Sequence, residues 1–150
     1  MSRRLDDLLY SGEVKLATLD KRVFAYLIDE VILSILVIFV ISDSLSGQEN
    51  AEQVILFIDS LLLQFLVVKF IYQALFVSLY GATIGKIVMG IKVINMDTIL
   101  DASINQALLR AIIRIISESL FFLGYIWGFF DPYKQTWHDK IARTIVVDVK

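Results

Sequence analysis

Ionisable residues stand where a lipid-facing helix would carry none. Asp29 and Glu30 fall inside the apolar run FAYLIDEVILSILVIFVI (24–41), and Lys69 falls inside VILFIDSLLLQFLVVKFIYQALFVSLY (54–80). A charge at mid-bilayer costs at least about 2.5 kcal/mol on insertion scales, so such residues face a protein interior or a wet cavity and have partners. The chemistry open to them depends on pairing. An unpaired buried carboxylate takes up a proton, as a proton or cation carrier requires, whereas a paired one stays charged. At about 100° per residue, Arg22, Tyr26 and Asp29 fall within roughly 60° of arc on the first helix. Asp59, Lys69, Gln73 and Tyr80 fall within roughly 80° on the second, with Gln64 pointing elsewhere. Lys69 is the expected partner of Asp29, with Arg110 or Arg114 as competitor.

A third stripe, Gln106, Arg110, Arg114 and Glu118, advances in steps of four, a spacing that lets Arg114 and Glu118 pair along a helix. On a helix lying at the membrane surface it would be the wet face. His138–Asp139 is the other charged pair of note. A metal site needs further histidines, and this chain has one His and no Cys, so metal hydrolysis is excluded along with thiol chemistry and disulfides. Asp139 is instead expected to accept bonds from backbone amides or from Arg143, Arg22 or Arg110 and so anchor the tail. Gly81–Lys86 lacks the spacing and the Ser or Thr of a phosphate-binding loop; Gly81 and Gly85 read as points of close backbone approach. No serine lies in a nucleophile elbow and no carboxylate pair has histidine support, so no enzymatic activity and no cofactor are expected. Fourteen basic residues against sixteen acidic ones, without a basic tract, exclude nucleic acid as a partner.

The elements that hold these residues follow from composition. In 150 residues, 57% hydrophobic content and a mean hydropathy of +0.72 exceed what a soluble globule this small can bury, and a bilayer is the natural solvent for the excess. Residues 24–41 would span about 27 Å as a helix, close to the hydrocarbon thickness. Without a cleavage site after it, this run reads as a retained first spanning helix. Residues 42–53, acidic and free of Lys and Arg, read as an outside loop. Residues 54–80 return the chain, and Arg3, Arg4, Lys15, Lys21, Arg22, Lys86 and Lys92 place both termini in the cytoplasm. Strands are expected around Ile91, Val93 and Asn95 and over residues 142–150. Residues 104–130 would separate those strands if they crossed once. The favoured alternative is an amphipathic helix over 104–119 near the inner face, then a short re-entrant piece broken near Gly124. Trp127, Tyr133 and Trp137 resemble an interfacial aromatic belt. The expected fold is mainly α, a single domain: residues 1–23 cytoplasmic, 24–41 and 54–80 spanning, 104–130 a third membrane segment, and 131–150 a cytoplasmic tail, with a small cytoplasmic strand pair.

The segments KRVFAYLID (21–29), GATIGKIVMGIKVIN (81–95), QALLRAIIR (106–114) and FDPYKQTWHDKIARTIVV (130–147) together resemble the RDD family of small bacterial membrane proteins, named for one arginine and two aspartates. The resemblance implies Arg22 as the family arginine, Asp29 and Asp139 as its aspartates, and Gly81, Thr83, Gly85, Lys86 and Gly90 as its glycine–lysine pattern. A turn that carries glycine in the family reads NMDTILDAS (95–103) here. The implied setting is the bacterial inner membrane, and the implied role is transport. A chain this small hardly encloses a pore, so conduction calls for a homo-oligomer or a partner membrane protein. Two functions follow. One is transport of a small ion or solute through a network of Arg22, Asp29, Lys69, Arg110, Arg114, Glu118 and Asp139. The other is a non-transporting structural or accessory subunit in which the same charges fix helix pairing.

Overall fold

Two long helices dominate the computed structural model, which describes residues 2–45 and 50–149. A short helix α1 (Ser2–Tyr10) precedes α2 (Leu19–Leu45) and α3 (Ala51–Tyr80). Neither long helix contains glycine or proline, and each is rich in Leu, Ile, Val and Phe. The helix α2 begins five residues before the apolar run, because Leu19–Val23 adds a polar first turn that helical backbone tolerates while hydropathy marks only the bilayer-length part. Of the expected 42–53 loop, residues 46–49 lie outside those described. The end of α3 is set by Gly81, whose φ of +68° lets its N–H bond back to the Val77 carbonyl at 3.0 Å.

Both helices are long and apolar enough to cross a membrane, over Leu19–Ser42 and Ala51–Tyr80. Only 17% and 6% of their most apolar windows is buried within the protein. A core helix of a soluble protein would bury its leucines; these point outward, a surface that suits hydrocarbon.

After α3 come α4 (Ile84–Val88) and strand β1 (Ile91–Asn95). The chain continues through α5 (Ile104–Ser119), α6 (Leu123–Ile126), a 3₁₀ turn (Trp127–Phe129), α7 (Trp137–Ile141) and strand β2 (Thr144–Asp148). The two strands pair, as expected, and the pairing is antiparallel with Val93 opposite Val146. Both sheet faces are covered. Ile91, Val93 and Val146 join Ala17, Ala25, Val77 and Ala107 in one cluster, while Ile94, Ile145 and Val147 pack with Leu5 of α1 in a second. The sheet is therefore a core layer, and residues 131–149 pack into the fold through it.

The helix α5 starts and stops where the sequence indicated. Ser103 and Gln106 cap it reciprocally, the Ser103 amide reaching Gln106 Oε1 at 3.0 Å. Its orientation reverses one expectation, for the charged stripe is no wet face: Arg110 and Arg114 are buried, while Ile104, Ile112 and Ile116 are exposed. The chain then breaks at Phe121 and Phe122, both with positive φ, rather than at Gly124, which lies buried inside α6.

Candidate functional site

The arginine face of α5 turns toward α2, α4 and α7, and a cavity of about 200 Å³ opens among them. Arg22, Tyr26 and Asp29 line it from α2, Lys86 from α4, Arg110 and Arg114 from α5, and His138 and Asp139 from α7. Leu19, Val23, Phe122 and Phe129 supply apolar wall.

Asp139 is the hub. Its carboxylate takes Arg22 Nη1 at 3.1 Å, Arg110 Nη1, the Thr136 amide at 3.2 Å and the Thr136 hydroxyl at 2.9 Å. Arg110 also donates to Thr144 Oγ1, and Arg22 reaches the carbonyls of Lys134 (2.5 Å) and Val146 (3.2 Å). Three segments distant in sequence are thus fastened to one carboxylate. Arg22 and Arg110 were among its expected donors; Arg143 was not engaged and pairs with Asp97 at 3.1 Å. Burial pushes the Asp139 carboxyl up, but Arg110, His138, Arg22 and the Thr136 amide outweigh it and hold the group far below the usual carboxylate range. Its neighbour His138 is held well below its ordinary value of 6.5, first by burial and then by Arg110, Arg114 and Lys86 against the pull of Asp139. Because the Thr136 hydroxyl donates to Asp139, it accepts from His138 Nε2 at 2.9 Å, so the neutral ring carries its proton on Nε2 and buried Nδ1 has no partner.

Asp29 does not meet Lys69. Its two oxygens accept from Tyr72 Oη (2.6 Å), Thr83 Oγ1 (2.6 Å) and the Gly85 amide (2.8 Å), all uncharged donors on α3 and the α4 turn. Gly85 permits this approach, since a Cβ there would stand 2.1 Å from the Ala25 carbonyl oxygen. Lys69 turns to Glu30 at 2.9 Å and Glu118 at 2.6 Å. Glu118 also binds Arg114 at 3.0 Å, as the four-residue spacing indicated, and Tyr125 Oη at 3.1 Å. The second-helix stripe is only half realised: Lys69 and Gln73 are buried, whereas Asp59 and Tyr80 are exposed. Of the aromatic belt, Trp127 lies under the Lys140 ammonium, 5.7 Å from the ring centre, and Tyr133 donates to Asp6 at 2.9 Å.

Sequence reasoning missed Glu30, Tyr72, Thr83 and Lys86 as members of the network. For Glu30 a signal existed: it lies 100° around the helix from Asp29, so the two acids must answer to different neighbours. Lys86 is the odd member. Half-buried on the cavity wall, it has no hydrogen bond or ion pair among the described residues. Burial, then Arg110 and Arg114, lower its ammonium to about 7, against partial support from Asp29 and Asp139.

An uncharacterized membrane protein of Bacillus subtilis (strain 168), YteJ, is 33% identical over 85 residues, covering 57% of this chain and 51% of that protein, so the chain spans about half the length of this relative. No solved structure matches. The RDD family model matches residues 16–143, a stretch that contains Arg22, Asp29 and Asp139, and this membrane protein belongs to the RDD family.

Proposed function

We propose that this protein binds a small ion or solute in the cavity between α2, α4, α5 and α7 and moves it across the bacterial inner membrane. In this reading both termini and the sheet face the cytoplasm, α5 is embedded at the inner leaflet, and the working form is a homo-oligomer or a complex with a partner membrane protein.

The observation that carries the reading is a run of ionisable groups without an apolar gap. It leads from the cavity along Arg110 and Arg114 to Glu118, Lys69 and Glu30, midway along the spanning pair. Holding helices together does not require this, because buried ion pairs are often replaceable by packed apolar residues at no loss of stability. Toward the other end of the pair the lining turns apolar. Leu36, Val37 and Val40 of α2 and Leu61, Phe65 and Val68 of α3 surround a void of about 50 Å³ beside Gln64. Passage would therefore require these helices to separate or a second copy to complete the path. The free cavity group is Lys86 rather than Asp29, whose oxygens are already engaged.

One observation favours the accessory-subunit reading: Asp29 and Asp139 each take at least three donors from different segments, as pure fasteners would. Reconstituted proteoliposomes decide. Wild type should catalyse flux of at least one of sodium, potassium, protons or phosphate. Glu118→Gln, with an unchanged helical spectrum, should reduce it at least about tenfold, the loss of one charge-assisted bond. Absence of flux for all four in wild type overturns transport and leaves the accessory role.

A further inference from the structure

We infer that the cavity is an oxyanion site, in which Lys86 supplies the charge that holds a phosphate or carboxylate group. This deepens the reading of the cavity as the solute site and rests on it.

The charge balance of the lining argues first. Four cationic side chains, Arg22, Lys86, Arg110 and Arg114, face two carboxylates, Asp29 and Asp139. Every oxygen of both carboxylates already accepts from a donor of the protein itself. An entering cation would find no carboxylate oxygen that is not already engaged, and only the unpartnered His138 Nδ1 as an acceptor. An entering anion would find Lys86, the one cavity cation that has no carboxylate against it among the described residues. A sheltered ammonium without a partner is costly, and an oxyanion relieves that cost by accepting from it. The depressed proton affinity of Lys86 has the same physical origin. Arg110 and Arg114 add a positive field from the facing helix without needing to leave Asp139 and Glu118.

The wall chemistry argues second. Beside these charges and Tyr26, Tyr125, Thr136 and His138 the lining is apolar, and Val23, Phe122 and Phe129 of that apolar part are also exposed on the outer surface of the protein. The mouth therefore adjoins the surface that suits hydrocarbon, and an oxyanion attached to a lipid can reach Lys86 from the side as readily as a free one can. At about 200 Å³ the space suits a small group such as phosphate or a lipid headgroup rather than a large metabolite.

The experiment uses the full chain in non-ionic detergent, with thermal unfolding followed as inorganic phosphate is added at constant ionic strength, and in parallel as phosphatidylglycerol replaces phosphatidylcholine in mixed micelles. Ligand binding to the folded state raises the transition temperature in wild type. A response to phosphate assigns a free anion, and a response to phosphatidylglycerol alone assigns a lipid headgroup. Lys86→Gln should weaken the apparent affinity at least about tenfold. Lys86→Arg should keep it, as should Lys92→Gln, which removes a lysine paired with Asp101 away from the cavity. Without ligand, Lys86→Gln should unfold no lower than wild type, since it deletes an unpaired cation. An equal response from wild type and Lys86→Gln overturns the inference, and so does the absence of any response from wild type, which still decides the matter if the glutamine variant does not fold. Oxyanion binding without flux would sink transport alone, whereas flux of a cation without oxyanion binding would sink this inference alone.

Discussion

Asp139 binds two guanidinium groups from helices far apart in sequence, and truncating it would leave both of them buried without a counter-charge. Asp139→Ala should cost about 3–5 kcal/mol in denaturant unfolding, the range for breaking a buried ion pair from one side. The pH dependence follows from the sign of the shift. A carboxylate held below its unfolded value stabilises the fold above that value and loses the contribution only as pH falls toward the folded one. The advantage of wild type over Asp139→Asn should therefore persist to about pH 4 and shrink below it. His138 works at higher pH. Its folded value is depressed, so the unfolded chain takes the proton first and stability declines as pH falls below 6.5. His138→Gln should flatten that decline, as measured by melting temperatures between pH 7 and pH 5. The arginines of Asp139 were legible because opposite charges announce each other. The partners of Asp29 were not, because a phenol, a hydroxyl and a backbone amide leave no mark in a charge count, and Lys69 was assigned to it by default.

At the scale of elements, α4 is placed by contact with α2 at Gly85. Gly85→Ala sets a methyl against the Ala25 carbonyl, and since the neighbour is backbone it cannot swing aside. The variant should lose about 1–3 kcal/mol in denaturant unfolding, as overpacked sites do. It should also loosen Asp29, seen as faster exchange of the Gly85 amide. The sequence revealed this glycine as a point of close approach, and it placed α5 over residues 104–119, where the four-residue step of charges defines one face. It could not tell what that face looks at. Periodicity says which residues point together; the solvent on the other side decides inward or outward, and beside a bilayer the usual rule inverts. The break at Phe121–Phe122 was equally hidden, since nothing in SLFFLG marks two aromatic residues for positive φ.

For the molecule as a whole, apolar side chains cover the outside and charges collect within. The chain has no cysteine, so a single introduced thiol reports one place. In intact membranes, Val31→Cys and Ile35→Cys, on exposed apolar positions of α2, should resist a water-soluble maleimide, while Lys140→Cys should react once that side is accessible. Rapid labelling of Val31→Cys would show α2 outside hydrocarbon. That the chain belongs in a membrane was readable from hydropathy; how its third helix is seated was not, because that depends on α7 and β2 behind it. Arg110 precedes Asp139 by 29 positions, so α5 is synthesised well before the carboxylate that neutralises it exists. The first two helices can enter the bilayer as they emerge, and on α5 Arg114 brings its own counter-charge in Glu118, whereas Arg110 has none until Asp139 arrives. The seat of α5 is therefore complete only once α7 is in place.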